Sequence, residues 1–136
     1  LDRPMLTLQL APNSGFYHGD LALFYVRGAK TLLWCPDAFV PESREVIREL
    51  GLRHIECNKR DVIQSLGDGG KNFLLNGVDV GHCIILPYAG RSSPLMEDIR
   101  VALMETGRDI DVVAHDFSEF GKSGAGIGCA TLVLER

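Results

Sequence analysis

Short apolar runs rich in β-branched and aromatic residues recur along the chain, at 5–10, 21–26, 31–34, 54–57, 73–75, 82–86, 110–114 and 130–134. Most are bounded by Gly, Pro, Asn or Asp, which interrupt pleated chain, so the pattern predicts strands. Two stretches change period. In 41–50, Val46, Ile47 and Leu50 share one helical face, Pro41 suits the first turn, and Gly51 suits the position past the end. In 93–106, Ser93 reads as N-cap and Pro94 as the first helical residue. Leu95, Ile99, Ala102 and Leu103 fall on one face, and Gly107 follows. Both stretches predict amphipathic helices.

The segments 21–58 and 73–116 repeat one order: strand, Gly-containing turn, strand ending in Pro, loop, helix, Gly, strand. Pro36 and Pro87 close the second strand of each, and Gly51 and Gly107 follow each helix. A ββαβ unit is thus used twice, with a leading run and a trailing segment, 121–134, left over. Repeats of about 50 residues build blades or solenoids, which need about three or more copies to bury a continuous core. Residues 1–136 therefore read as a single domain or a fragment with an incomplete set of units, and an opening on Leu1 rather than Met points the same way.

Composition narrows the class. With 136 residues, 46% hydrophobic and 24% charged, the chain can bury roughly two-thirds of its unfolded surface in one core. No apolar run approaches the roughly 18 residues of a membrane span, and the N-terminus lacks the features of a signal peptide. A net charge of −4, without basic residues clustered among aromatics, argues against nucleic acid. Cys35, Cys57, Cys83 and Cys129 include no CxxC pair, which fits reduced thiols and a cytoplasmic location.

The densest chemical signal is GKSGAGIGCAT, with glycines at 121, 124, 126 and 128 ahead of Cys129. It is not a phosphate loop. Walker A needs Gly where Asp116 stands, and a dinucleotide fingerprint beginning at Gly124 meets Cys129 where its last Gly belongs. The plain alternative is a glycine-rich turn leading to a buried Cys. Against it stand His18 and Asp20 in FYHGDLAL, at a loop-to-strand junction behind Pro12, Asn13 and Gly15. On a strand an i, i+2 pair points to one face, so imidazole and carboxylate would project together.

Other histidines are weaker candidates. His54 and Cys57 form half of a metal site with no second pair, so no metal is expected. His82 and Cys83 alternate across a strand. His115, beside Asp116, ends a strand shortly before the Cys loop and is the rival for a catalytic base. Met96 and Met104 read as helix packing, and Trp34 and Cys35 as core.

Taken together, F-Y-H-x-D before an apolar strand, a strand followed by P-D-A-F, an amphipathic helix, and finally S-E-F-x-K-S-G-x-G-x-x-C-x-T-L resemble the C-terminal half of the guanidine-modifying, or pentein, superfamily. That group includes arginine deiminases, dimethylarginine dimethylaminohydrolases and glycine amidinotransferases. The resemblance implies an α+β fold, a partial pentein-type α/β propeller of about two and a half ββαβ units. It implies a C–N hydrolase acting on arginine or a methylated or related guanidine. Cys129 would be the nucleophile forming a covalent thiouronium, His18 the proton donor and acceptor, and Asp20 the substrate-binding carboxylate, with no metal or organic cofactor. The alternatives are an amidinotransferase and a non-catalytic propeller fragment that assembles with a partner chain. Gly19, Leu21 and Ala125 replace the larger apolar residue, Thr and Gly usual in these families, which bears on substrate choice. The family's acidic partner for the His and a further guanidinium-binding carboxylate come from earlier blades. The implied partners are therefore a guanidine substrate and either the missing N-terminal half or a second copy, and the chain alone would be a poor catalyst.

Overall fold

A computed structural model describes residues 5–88, 94–124 and 126–129. Thr31–Trp34 (β2) is buried at every position, as the middle strand of a sheet must be. Leu23–Val26 (β1) pairs with it antiparallel and Arg53–Glu56 (β3) pairs with it parallel. A parallel return needs a crossover. Here it is a 3₁₀ turn at Pro36–Ala38 followed by helix α1, Pro41–Arg48, which buries Ile47 and Ser43. Gly51 then takes φ +66°, where any side chain would be strained. Arg48 lies over the Trp34 ring and pairs with Glu56 at 3.1 Å, closing the helix end onto the sheet.

A second sheet has the same order and directions. Val78–Asp79 (β6) runs antiparallel to Cys83–Pro87 (β7), and Asp111–His115 (β8) runs parallel to β7 after the crossover helix α3, Pro94–Met104. Leu95, Met96, Ile99 and Leu103 bury the inner face of α3, and Gly107 turns at φ +68°. The two units are joined edge to edge. The Arg27 N–H donates to Asp79 Oδ2 at 2.8 Å, and Gly28 has Gly81 O and Ile110 Cδ1 3.2 Å from where a Cβ would stand.

Between them a short helix, Lys59–Val62 (α2), capped by the Asn58 side chain, leads into a hairpin of Ile63–Ser65 (β4) and Lys71–Phe73 (β5). Helix α4, Ser118–Lys122, rests on β5. Trp34, Phe39, Leu74, Leu75, Ile84 and Ile99 are all fully buried in the common core. This mixed α/β arrangement of small sheets and crossover helices is a partial propeller. No helix among the described residues is long and apolar enough to cross a membrane.

Three expectations are corrected. The run 5–10 makes only an isolated bridge, Leu10 to Phe39, and leaves Met5 and Leu6 exposed, so it has no strand to lie against. The first strand of the second unit is β6, not 73–75. Phe73 belongs to the hairpin, while Leu74 and Leu75 are core residues outside any strand. Residues 19–21 form a 3₁₀ turn rather than the start of β1. The run 130–134 lies outside the described residues.

Candidate active site

The segment before β1 is fixed by its aromatics. Phe16 is buried, its ring 5.9 Å from that of Phe73, and Tyr17 meets the same Phe73 edge-on at 5.7 Å. His18 is extended and precedes the 3₁₀ turn Gly19–Leu21, whose backbone closes through Leu21 N–H to His18 O and Ala22 N–H to Gly19 O. His18 and Asp20 are thus not an i, i+2 pair on a strand. Asp20 is carried round by the turn, while the exposed imidazole packs against the Tyr17 ring with centroids 5.1 Å apart.

Asp20 and Cys129 meet. The thiol donates to Asp20 Oδ2 at 3.3 Å, and both residues are open to solvent. Between them stands Asn76, a residue the sequence reading passed over and only 2% exposed. Its Nδ2 donates to Asp20 Oδ2 at 3.0 Å, to Asp20 O at 3.3 Å and to Cys129 Sγ at 3.3 Å. In return, Asn76 Oδ1 accepts from the Cys129 N–H at 3.2 Å and Asn76 O from the Gly128 N–H at 3.1 Å. The glycines of the Cys loop make this approach possible. A Cβ at Gly126 would overlap Asn76 Oδ1, and one at Gly128 would lie 3.0 Å from Gly77 O.

The loop is held at its other end by the Tyr17 hydroxyl, which donates to Gly124 O at 3.0 Å. Burial, then the neighbouring Cys129 and Asp20, raise the Tyr17 hydroxyl above its ordinary value of 10.0, so it stays a donor. Lys122 pins α4 through Glu119 at 2.6 Å and Asp68 at 3.6 Å. A cleft of about 340 Å³ opens beside the cluster, walled by Asp20, Leu23, Phe24, Asn76 and Gly128. A carboxylate and an amide donor in its wall, with an exposed thiol 3.3 Å from that carboxylate, suit a planar, cationic ligand that a carboxylate can hold while sulfur attacks.

The remaining candidates lie elsewhere in the fold. Cys35 and Cys57 are buried, and burial pushes their thiols up to about 11 and about 12, so neither is poised to react. His54 is packed against Trp34 on β3. His115, at the end of β8, meets the Phe117 ring edge-on with centroids 5.1 Å apart. Among the described residues no group of three or more His, Cys, Asp or Glu is arranged to hold a metal ion.

Among solved structures, the chain is similar to the N-terminal domain of ArgZ, an arginine dihydrolase from cyanobacteria, at 29% identity and a TM-score of 0.68, covering 93% of this chain and 41% of that one. It is similar to AgrE at 27% identity and a TM-score of 0.69, covering 93% of this chain and 16% of that one. Agmatine deiminase of C. jejuni shares the fold at 14% identity and a TM-score of 0.64, covering 90% of this chain and 39% of that one. The chain spans less than half the length of each. No protein-family model and no curated protein matches it. The repeated ββαβ topology and these likenesses give the chain the fold of part of a propeller of the guanidine-modifying, or pentein, type.

Proposed function

We propose that the protein carrying this chain hydrolyses the guanidinium C–N bond of arginine or a methylated or related guanidine, with Cys129 as nucleophile, His18 as acid and base, and Asp20 as a ligand of the cation. The observation that carries this reading is the 3.3 Å contact between Asp20 Oδ2 and the Cys129 sulfur. A guanidinium carbon is shielded by resonance and resists water, so it needs a strong nucleophile held in line and carboxylates to fix its N–H groups.

The guanidinium N–H groups engage Asp20, and the thiol passes its proton to His18. Sulfur attacks the guanidinium carbon, the C–N bond breaks, and the departing nitrogen takes the proton back from His18 as ammonia or an amine. Water then gives a proton to His18 and attacks the S-linked thiouronium, and the C–S bond breaks to return the cysteine and release a ureido product. The cationic substrate itself favours the thiolate, as any adjacent positive charge does. Hydrolysis is favoured over amidino transfer because the relative of 28% identity is an arginine dihydrolase. Support for covalent chemistry comes from the same protein, one form of which holds a covalently bonded reaction intermediate, while a cysteine-to-serine form holds substrate.

The test is citrulline or urea-type product formation from arginine, methylarginines and agmatine by the protein carrying this chain, beside its Cys129→Ser variant. Product from the parent and none from the variant is expected. Turnover that survives Cys129→Ser would sink the assignment.

A further inference from the structure

We infer that Asn76 is the positioning residue that sets the Cys129 sulfur against Asp20 for attack, an inference that rests on the hydrolase reading above. A side-chain amide offers two N–H donors and one carbonyl acceptor. Asn76 uses both kinds on the same two residues: Oδ1 takes the backbone N–H of Cys129, and Nδ2 serves the Asp20 carboxylate and the Cys129 sulfur. No apolar residue could do this, and an acid would present oxygen to both Asp20 and the thiolate.

The amide is carried on a rigid mount. Leu74 and Leu75 before it are fully buried, and its own N–H donates to Phe73 O at 3.0 Å. Gly77 after it is pressed so close to β7 that a Cβ would lie 2.7 Å from Ile85 O. The glycines at 124, 126 and 128, by contrast, impose little backbone preference of their own ahead of Cys129, so the position of Sγ is set by what this part of the chain docks on. That dock is Asn76, through the N–H groups of both Gly128 and Cys129. Once the thiol proton has left, Nδ2 remains as a donor to the sulfur anion.

The test compares the protein carrying this chain with its Asn76→Asp and Gly126→Ala variants, reading Cys129 alkylation by iodoacetamide against pH by mass spectrometry and kcat and KM for arginine. Asn76→Asp keeps an acceptor for the Cys129 N–H but replaces the donor to sulfur with an oxygen. It should slow alkylation at neutral pH about tenfold or more and displace the pH profile to the alkaline side. The kcat should fall with it, more than KM rises, because the loss lies in aligning the nucleophile. Gly126→Ala, which pushes the amide aside without altering it, should move both readouts in the same direction.

A folded Asn76→Asp protein, by circular dichroism, with the parental alkylation profile overturns the inference. If that variant does not fold, a folded Gly126→Ala protein with the parental profile overturns it equally. A displaced profile in a protein whose parent turns over no guanidine supports the hold of Asn76 on Cys129 and sinks the hydrolase reading instead.

Discussion

Asp20 Oδ2 and Cys129 Sγ lie 3.3 Å apart although 109 positions separate them in sequence. The two are brought together by a 3₁₀ turn on one side and a glycine loop on the other, and neither is buried. A carboxylate this close to the sulfur attracts a cationic reagent and leaves a neutral one indifferent, a preference that one substitution removes.

Asp20→Asn should therefore react more slowly than the parent with a cationic haloacetamidine, relative to neutral iodoacetamide. The ratio of the two rates should change by about tenfold or more, given how strongly charges interact at this range. Parallel changes in both rates would mean that Asp20 merely packs against the thiol. If Asp20 holds the cation as proposed, turnover of arginine should fall with a rise in KM.

Tyr17 should ionise later than an ordinary tyrosine. Burial, then Cys129 and Asp20, hold its proton on. The sign follows: the neutral hydroxyl and its bond to Gly124 O persist up to the ordinary value of 10.0 and are lost only as pH climbs past the raised one. Phenolate absorbance at 295 nm reads this against a Tyr17→Phe control. Cys129→Ala should bring the transition part of the way back, because one of the two neighbouring charges is gone.

How far the sequence disclosed this site depended on whether a signal was local. β2 was legible because its run of Leu32, Leu33 and Trp34 is bounded on both sides, and the two crossover helices because a Pro or Ser start and a Gly stop frame one apolar face. The pairing of Asp20 with Cys129 came from motif resemblance, while the local geometry inferred for Asp20, a strand face shared with His18, was wrong because the chain turns at Gly19. Asn76 was invisible. In LLNGVD an Asn before a Gly reads as a turn residue, and no periodicity announces a side chain whose partners lie 53 and 56 positions away. Helix α4 was missed because five residues with a Gly among them carry no helical period. The run 5–10 has the apolar pattern of a strand but only an isolated bridge to pair through, and apolar patterning makes a strand only where a neighbour exists.

The four cysteines should separate cleanly under native labelling. Cys129 is exposed and Cys83 half-buried, whereas Cys35 and Cys57 are buried. With N-ethylmaleimide near neutral pH, Cys129 should be modified first and Cys35 and Cys57 only after unfolding. The two buried thiols also make a pH prediction. Burial raises them from 9.0 to about 11 and about 12, so their contribution to stability is complete below pH 9.0 and lost as pH rises through those values. The denaturant midpoint should decline over that alkaline window, and a Cys35→Ala, Cys57→Ala double variant should flatten the decline.

His54 should be replaceable at a gain. Both of its ring nitrogens are buried with no hydrogen-bond partner among the described residues, and the Trp34 indole beside it is in the same position. A buried polar group left unpaired costs about 1–3 kcal/mol, and an apolar residue of similar volume removes that cost. His54→Leu should raise the melting temperature of the protein carrying this chain without changing kcat, since β3 does not reach the Asp20–Cys129 cluster. A lower melting temperature would show that the imidazole finds a partner in the native protein.

Gly121 and Gly67 make a paired test of how the Cys loop is seated. Gly121 is buried in α4, and a Cβ there would lie 2.7 Å from Lys71 O and 2.9 Å from Leu66 Cδ1, so α4 would have to lift from β5. Overpacking of this kind costs about 1–3 kcal/mol. The displacement should also reach the Asp20–Cys129 cluster, because α4 leads directly into Gly124, the acceptor of the Tyr17 hydroxyl, and Cys129 follows five residues later. Gly67, in the turn of the same hairpin, has nothing within 4 Å of a Cβ and no positive φ. Gly67→Ala should therefore stay within about 0.5 kcal/mol of the parent and keep its activity. Gly121→Ala should lower both stability and kcat, with activity falling even at temperatures where the protein remains folded by circular dichroism. Equal behaviour of the two variants would mean that the seat of α4 on β5 does not control the cysteine.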